Sequence, residues 1–406
     1  MPLLTVIEAE RLIQEATPPS PPTEMVVLTE ALGRVLAEPV LADRDYPPIN
    51  RATMDGIAVH RDAIARGTNP LTVECTIPAG VPAPRLRDPR NGCARIMTGA
   101  EVPENAEGIV PVEDVRVENG FARLVSPLAF TPGQHIHAKS IDRRRGDHLL
   151  EPGAFLDAPR IAILAAVGRS RIRVARAPRC AVISNGDEIV PIDREVIAPT
   201  EVRASNLIAL CAGLTALGIT EIDARHLPDD PGAITTAITE QLAVHDVLLL
   251  SGGVSKGAFD YIPSALAAAG ARNVFHGVAQ KPGKPLWFGK TDSCFVFGLP
   301  GNPVSTLSVF RRYVAPFIIR WMGGNPPLPR GIQLSGDIHP HPLLTLFIPV
   351  RVESAASGLD RAIPVEYHGS GDFAALSDSN GFIEMPPISR EIVAKSRIFP
   401  FYSWHI

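Results

Sequence analysis

Between about residue 180 and residue 325, short apolar runs alternate with longer segments of helical length. Cys180-Ala181-Val182-Ile183, Val247-Leu248-Leu249-Leu250 and Cys294-Phe295-Val296-Phe297 are almost free of polar residues, as strands buried on both faces must be. Helices are predicted over residues 205 to 217, 231 to 244 and 261 to 269 and from Pro303 onward, with a further strand near residues 221 to 224. That alternation predicts a doubly wound, mostly parallel sheet with helices on both faces.

The flanking segments read differently. Residues 1 to 45 begin with a short amphipathic helix (MPLLTVIEAERLI), continue through a proline-rich stretch, and predict a second helical segment around residues 28 to 36. From 46 to 144, runs such as Leu71-Thr72-Val73-Glu74-Cys75 are punctuated by Gly and Pro, as in a small β-rich domain. The run from Ile161 to Val167 has no polar residue and reads as a buried helix. Residues 331 to 406 return to short strands and prolines. The expected organisation is a domain formed by residues 1 to 45 and 145 to 178, an inserted β-rich domain (46 to 144), an α/β domain (179 to 330) and a C-terminal β domain (331 to 406).

Length agrees with several domains, since 406 residues exceed what one core usually holds. The 40 prolines are roughly twice the average usage and occur without low complexity, which suggests many short strands and junctions. A net charge of −4 argues against a nucleic-acid surface, so any anion site must be made locally. The five cysteines (Cys75, Cys93, Cys180, Cys211, Cys294) form no CxxC pair, which suggests buried thiols in a reducing compartment. No apolar stretch reaches the ~20 residues of a membrane span, and the N-terminus lacks the basic and apolar regions of a signal peptide. A soluble cytoplasmic protein is expected.

The candidate chemistry lies where the apolar runs end. Ser184 to Glu188 (SNGDE), Ser251 to Asp260 (SGGVSKGAFD) and Gly298 to Ser305 (GLPGNPVS) each follow a predicted strand, and Lys281 to Pro285 (KPGKP) lies between the last two. In open α/β sheets ligands bind beyond the carboxyl ends of the strands, where glycine-turn amides face an anion. Four such loops describe one site for a polyanion, with Lys281 and Lys284 as cations and Asp187, Glu188 and Asp260 able to hold a divalent metal. Plainer roles exist for each: Asn302 and Asp260 as helix N-caps, Ser255 as a turn hydroxyl, and Asp187 and Glu188 as solvated acids. His135 and His137, and His339 and His341, are paired on extended segments without further ligands at metal spacing. There is no HExxH, GxSxG or P-loop motif, so hydrolytic zinc, serine-nucleophile and ordinary NTPase chemistries lack support.

These motifs, in this order, resemble the molybdopterin molybdenumtransferases, the MoeA family that includes the gephyrin E domain. The resemblance extends to Ala52-Thr53-Met54-Asp55-Gly56, to Arg95-Ile96-Met97-Thr98-Gly99-Ala100, and to Gly369-Ser370-Gly371 with Ser379-Asn380-Gly381 and Met385-Pro386, covering nearly the whole chain. It implies a MoaB/Mog-like α/β domain and a homodimer in which Asp55 and Thr98 of one subunit close the site of the other. It implies adenylylated molybdopterin and molybdate as substrates, AMP and molybdenum cofactor as products, and transient contact with a molybdopterin adenylyltransferase. Gly252, Gly253, Ser255 and the turn containing Pro300, Gly301 and Asn302 would bind phosphate. Glu188, Asp229 and Asp260 would hold Mg²⁺ or a similar cation, and Lys281, Lys284 and Ser305 would take molybdate. Gly283 and Ser370 belong to the same substrate-binding set.

The chain departs from the family pattern twice. His137 stands where the family has an arginine, and Leu344 to Pro349 lacks both arginines of the GRxxFxR pattern. Lys256 adds a cation nearby. The alternative reading is a divergent paralogue that binds pterin or molybdate, or serves as a scaffold, without full catalysis.

Overall fold

The computed structural model describes residues 3–18, 20–67, 69–126, 129–254, 261–354, 360–366, 368–389 and 397–405. The chain forms two compact units, one of Met1–Glu38, Pro152–Ala158 and Arg171–Ile406, the other of Pro39–Glu151 and Pro159–Ser170.

The first unit is built on a six-stranded sheet of β1 (Cys180–Asn185), β2 (Ile222–Leu227), β3 (Val247–Ser251), β4 (Arg272–His276), β5 (Trp287–Lys290) and β6 (Phe295–Leu299), in the order β2-β1-β3-β6-β5-β4. The first four in that order run parallel, and β5 and β4 add an antiparallel edge. Side chains alternate across the sheet. Cys180, Val182, Val247, Leu249 and Phe297 pack into one core with Leu210 and Leu214 of helix α1 (Ser205–Ala216). Ala181, Ile183, Leu248, Leu250 and Val296 face the other core, with Ile234 and Ile238 of α2 (Pro231–Val244) and Ile262 and Leu266 of α3 (Ile262–Ala268). The expected parallel sheet covered on both faces is present. The antiparallel edge is not foreseen by the sequence pattern, because Arg272–His276 carries polar residues at three of five positions.

Helix α4 (Pro303–Val309) runs into a π-helical turn, Phe310–Val314, and then a further helix, Ala315–Trp321. After it, the strands Arg330–Leu334, Thr345–Glu353, Arg361–Pro364, Gly381–Met385 and Ile398–Ser403 pair into a closed ring. Closure removes free sheet edges, and Ile332, Val350, Ile383 and Phe401 fill its core. The short strand Gln280–Lys281 joins this ring from outside, parallel to Thr345 and Leu346.

At the N-terminus, helix Val6–Ala16 carries a capping box between Thr5 and Glu8, which satisfies two otherwise orphaned amides. The helix expected around residues 28 to 36 does not form beyond a 3₁₀ turn, Leu28–Glu30. Gly33 and Leu36 donate their amides to the carbonyls of Leu156 and Ala154, so tertiary partners take the bonds that a helix would make internally.

The second unit holds a six-stranded mixed sheet in the order Gly108–Pro111, Gly56–Val59, Gly92–Ile96, Leu71–Ile77, Phe121–Leu124, Val115–Glu118. The helix predicted from Pro159 exists as Ala158–Ala166, but it is not buried. Leu164 is its one buried residue, and Ala162, Ala165 and Ala166 are exposed.

Candidate functional site

From β1 the chain crosses to β2 on one side, then returns to β3 on the other. The strand order reverses between β1 and β3, so the following loops diverge and leave a crevice at the carboxyl ends. A cleft of about 1260 Å³ occupies this place. Glu188, Asp229, Gly252, Gly253, Lys281, Gly283, Lys284, Pro300, Gly301, Asn302, Ser305 and Ser370 all line it. Thus twelve of the sixteen residues expected to act come together. Ser255 and Asp260, with Lys256, lie outside the described residues.

The β1 and β3 loops interlock through Asn185. Its amide Nδ2 donates to Asp229 Oδ1 at 3.0 Å, while the Asp229 amide donates to Asp187 Oδ1 at 3.0 Å. Asp229 is thereby held from both sides by the turn after β1. The Asn185 side chain also lies against Gly252 and Gly253, whose φ angles are +96° and +63°. A Cβ on Gly253 would lie 2.8 Å from Asn185 Nδ2, so both conformation and space require glycine here. Asn185 Oδ1 is buried and has no hydrogen-bond partner among the described residues.

The loop after β6 is fixed by two asparagines. Asn206 Nδ2 donates to Gly301 O at 2.6 Å and to Ser251 Oγ at 3.1 Å. Asn302 stands at the N-cap position of α4 but makes no side-chain capping bond. Its amide instead donates to Ser370 Oγ at 2.7 Å, and Val304 N donates to Ser370 O at 3.2 Å. The capping role open to Asn302 in the sequence is replaced by a tether that brings the GSG segment to the cleft. Lys281 and Lys284 are exposed, and neither has an ion-pair partner among the described residues.

Three carboxylates line the cleft, Glu188, Glu201 and Asp229; Glu201 pairs with Arg194 at 2.9 Å, which leaves Glu188 and Asp229 as the hard oxygen donors for a divalent cation. No cluster of three or more His, Cys, Asp or Glu groups with metal-binding geometry occurs among the described residues. Two carboxylates suit Mg²⁺, which commonly takes one or two and completes its shell with substrate phosphates and water. The donor set therefore fits such an ion. The histidine pairs stay outside it: His137 Nε2 lies 2.9 Å from Asp142 Oδ1, and His341 Nδ1 accepts from the amides of Leu343 and Leu344. All five cysteines are free, and none lines the cleft. Burial pushes the Cys93 and Cys294 thiols up to about 12, which makes them poor nucleophiles.

Asp55 and Thr98 belong to the second unit and meet each other there. The Thr98 hydroxyl and amide each donate to Asp55 Oδ1 at 2.7 Å. These bonds, the hydroxyl first, hold the Asp55 carboxyl below the usual carboxylate range.

Sequence reasoning missed several lining residues: Asn185, Arg203, Asn206, the apolar Ile189, Ile197 and Val202, and Phe373, which is 70% exposed. Asn185 sits within SNGDE, so its neighbours were the available signal. Arg203 ends the short strand Val202–Arg203 and Asn206 lies in the first turn of α1, both far from any glycine turn, and nothing local marks them.

Residues 4–168 match the family model of the MoeA N-terminal region (domain I and II), residues 181–320 that of a probable molybdopterin binding domain, and residues 332–394 that of the MoeA C-terminal region (domain IV). The chain is 35% identical over 404 residues to the molybdopterin molybdenumtransferase of a Synechocystis species, covering 99% of this chain and 100% of that one. It is 31% identical over 373 residues to the Bacillus subtilis protein of the same name, covering 90% and 86%. Two crystal structures of molybdopterin biosynthesis MoeA proteins from Pyrococcus horikoshii superpose with TM-scores of 0.81 and 0.83, at 30% and 26% identity. They cover 99% of this chain and 99% and 100% of their own.

Proposed function

Because the chain belongs to the molybdopterin molybdenumtransferase family, we propose that it inserts molybdenum, supplied as molybdate, into adenylylated molybdopterin, yielding molybdenum cofactor and AMP. The observation that carries this reading is the cleft at the β1/β3 reversal, which gathers two glycine turns, the Glu188 and Asp229 carboxylates and two lysines without an ion-pair partner among the described residues.

Each group has a task in that reaction. The Gly252-Gly253 turn and the Gly301-Asn302 turn donate backbone amides to phosphate oxygens, which a glycine-rich backbone lets approach closely. Glu188 and Asp229, joined by Asp260, hold a divalent cation, taken here as Mg²⁺. When bound, that ion polarises the pyrophosphate link and neutralises charge on the AMP leaving group. Asn185 and Asp187 keep Asp229 oriented, so it needs little reorganisation when the cation and substrate arrive. Lys281, Lys284 and Ser305 receive molybdate, a dianion whose entry two ammonium groups favour. Arg203 adds a cation to a cleft that lacks the family arginines.

The proposal extends to assembly. Asp55 and Thr98 act in the site of a second subunit within a homodimer, the four-segment organisation given above holds, and a molybdopterin adenylyltransferase delivers the substrate. The cytoplasm is the proposed compartment; among the described residues no helix is long and apolar enough to cross a membrane. Incubation with adenylylated molybdopterin, molybdate and Mg²⁺ should release AMP in step with active cofactor. Binding of both substrates without AMP release would overturn the reading and favour a pterin-binding or scaffold protein.

A further inference from the structure

We infer that Gln280 and Tyr313 are positioning residues for the two-lysine loop and set its preference among tetrahedral dianions, an inference that rests on the assignment of Lys281 and Lys284 to molybdate.

The loop presents its charges from a buried backbone. Lys281 and Lys284 are exposed, whereas Pro282 and Gly283 between them are buried. Gln280, fully buried, precedes the first lysine. Its Nε2 donates to Gly283 O at 2.9 Å, spanning the loop, and its Oε1 accepts from the Tyr313 hydroxyl at 2.5 Å. Tyr313 is only 2% exposed, so its hydroxyl has no water to turn to, and a buried amide left without it would lose a bond outright.

Two further contacts hold the same loop. Gln280 and Lys281 pair as a strand with Thr345 and Leu346, and Thr345 N donates to Ala279 O at 2.9 Å. A Cβ on Gly283 would lie 2.5 Å from Val309 Cγ2, so α4 closes the remaining direction. Tyr313 reaches Gln280 from the π-helical turn Phe310–Val314, and such turns are frequent at functional sites. The adjacent Arg312 ties that turn to Glu10 of the N-terminal helix and to Glu384 of the C-terminal ring.

The consequence is chemical. A lysine ammonium is a point charge on a flexible stem, and two of them on a mobile loop would attract any dianion alike. With both Cα positions fixed, the pair favours one separation of oxygens over another.

The test uses the full-length protein and calorimetric titration with sodium molybdate, sodium sulfate and adenylylated molybdopterin. Tyr313→Phe removes the hydroxyl alone and should weaken molybdate binding about fivefold, lower the molybdate-over-sulfate ratio, and leave pterin affinity within about twofold. Gln280→Glu keeps the acceptor for Tyr313 but sets an oxygen against Gly283 O, and should weaken molybdate about tenfold or more. Equal losses for molybdate, sulfate and pterin, or a lower melting temperature with unchanged molybdate affinity, would overturn the inference by giving the pair a general structural role. Lys281→Ala, titrated alongside, separates the premise: unchanged molybdate affinity in that variant would overturn the lysine assignment itself.

Discussion

Gly253→Ala adds one methyl group at a point where backbone conformation, a buried amide and a cleft carboxylate meet. At φ +63° an L-residue in the left-handed region costs about 1–2 kcal/mol. The new Cβ would lie 2.8 Å from Asn185 Nδ2 and 3.1 Å from both Asn185 Oδ1 and Ile262 Cγ1. Asn185 is 6% exposed, and relieving the contact moves its amide off Asp229, 3.0 Å away. Losing a hydrogen bond to a carboxylate costs about 1.5–3 kcal/mol, and the two effects together come to about 2.5–5 kcal/mol. Urea unfolding should report that loss as a lower midpoint, and AMP release should fall because Asp229 is no longer held. The decisive measurement is a double-mutant cycle with Asn185→Ala. With the amide gone, Gly253→Ala should cost only its backbone share, leaving a coupling of about 1.5–3 kcal/mol. Additivity within about 0.5 kcal/mol would refute the reasoning, since the contact with Asn185 would then carry none of the cost.

Three further outcomes are expected. Arg312, 5% exposed between Glu10 and Glu384 at 2.9 and 2.7 Å, is a buried cation whose removal takes the guanidinium from Glu384, while Glu10 keeps Arg320 at 3.7 Å. Arg312→Met should destabilise by about 3–5 kcal/mol in urea, and adding Glu10→Gln and Glu384→Gln should restore most of it. The Arg61 guanidinium beside Glu107 holds its carboxyl down at about 2. A depressed carboxyl stabilises above its ordinary value and loses that contribution as pH falls from about 4.3 to about 2, so Glu107→Gln should flatten the melting-temperature profile in that window. If Asp55 acts across a homodimer, inactive Asp55→Ala and Asp260→Ala chains mixed at equal amounts should regain about a quarter of wild-type activity, and no recovery after verified subunit exchange would place both residues in one subunit's own site.

The α/β sheet and its loops were legible because their signals are local. A strand buried on both faces must be continuously apolar, and the turn that follows must carry glycine if the backbone is to meet an anion. Those two requirements marked Ser184 to Glu188, Ser251 to Asp260 and Gly298 to Ser305, and the glycine and lysines of Lys281 to Pro285 lie between the last two. The family motifs then assigned roles that spacing leaves open, such as Asp229, which no glycine turn announces.

Other features depended on what the chain meets after folding. The run from Ile161 to Val167 reads as buried, yet Ala162, Ala165 and Ala166 are exposed, because hydrophobicity says what a segment tolerates and not what covers it. Asn302 carries the sequence signature of an N-cap but bonds Ser370, 68 residues away, an alternative that exists only once the C-terminal ring is in place. Arg203, Asn206 and Phe373 reach the cleft from segments without any local mark. By itself the sequence determined the parallel strands of the α/β sheet and marked the glycine loops that follow them, since both rest on residues adjacent in the chain. Tertiary structure alone decided which side chains hold those loops in position. Asn185 against Gly253, and Tyr313 beneath Gln280, are contacts between distant segments, and hydrogen bonds and steric limits of that kind arise only in packing.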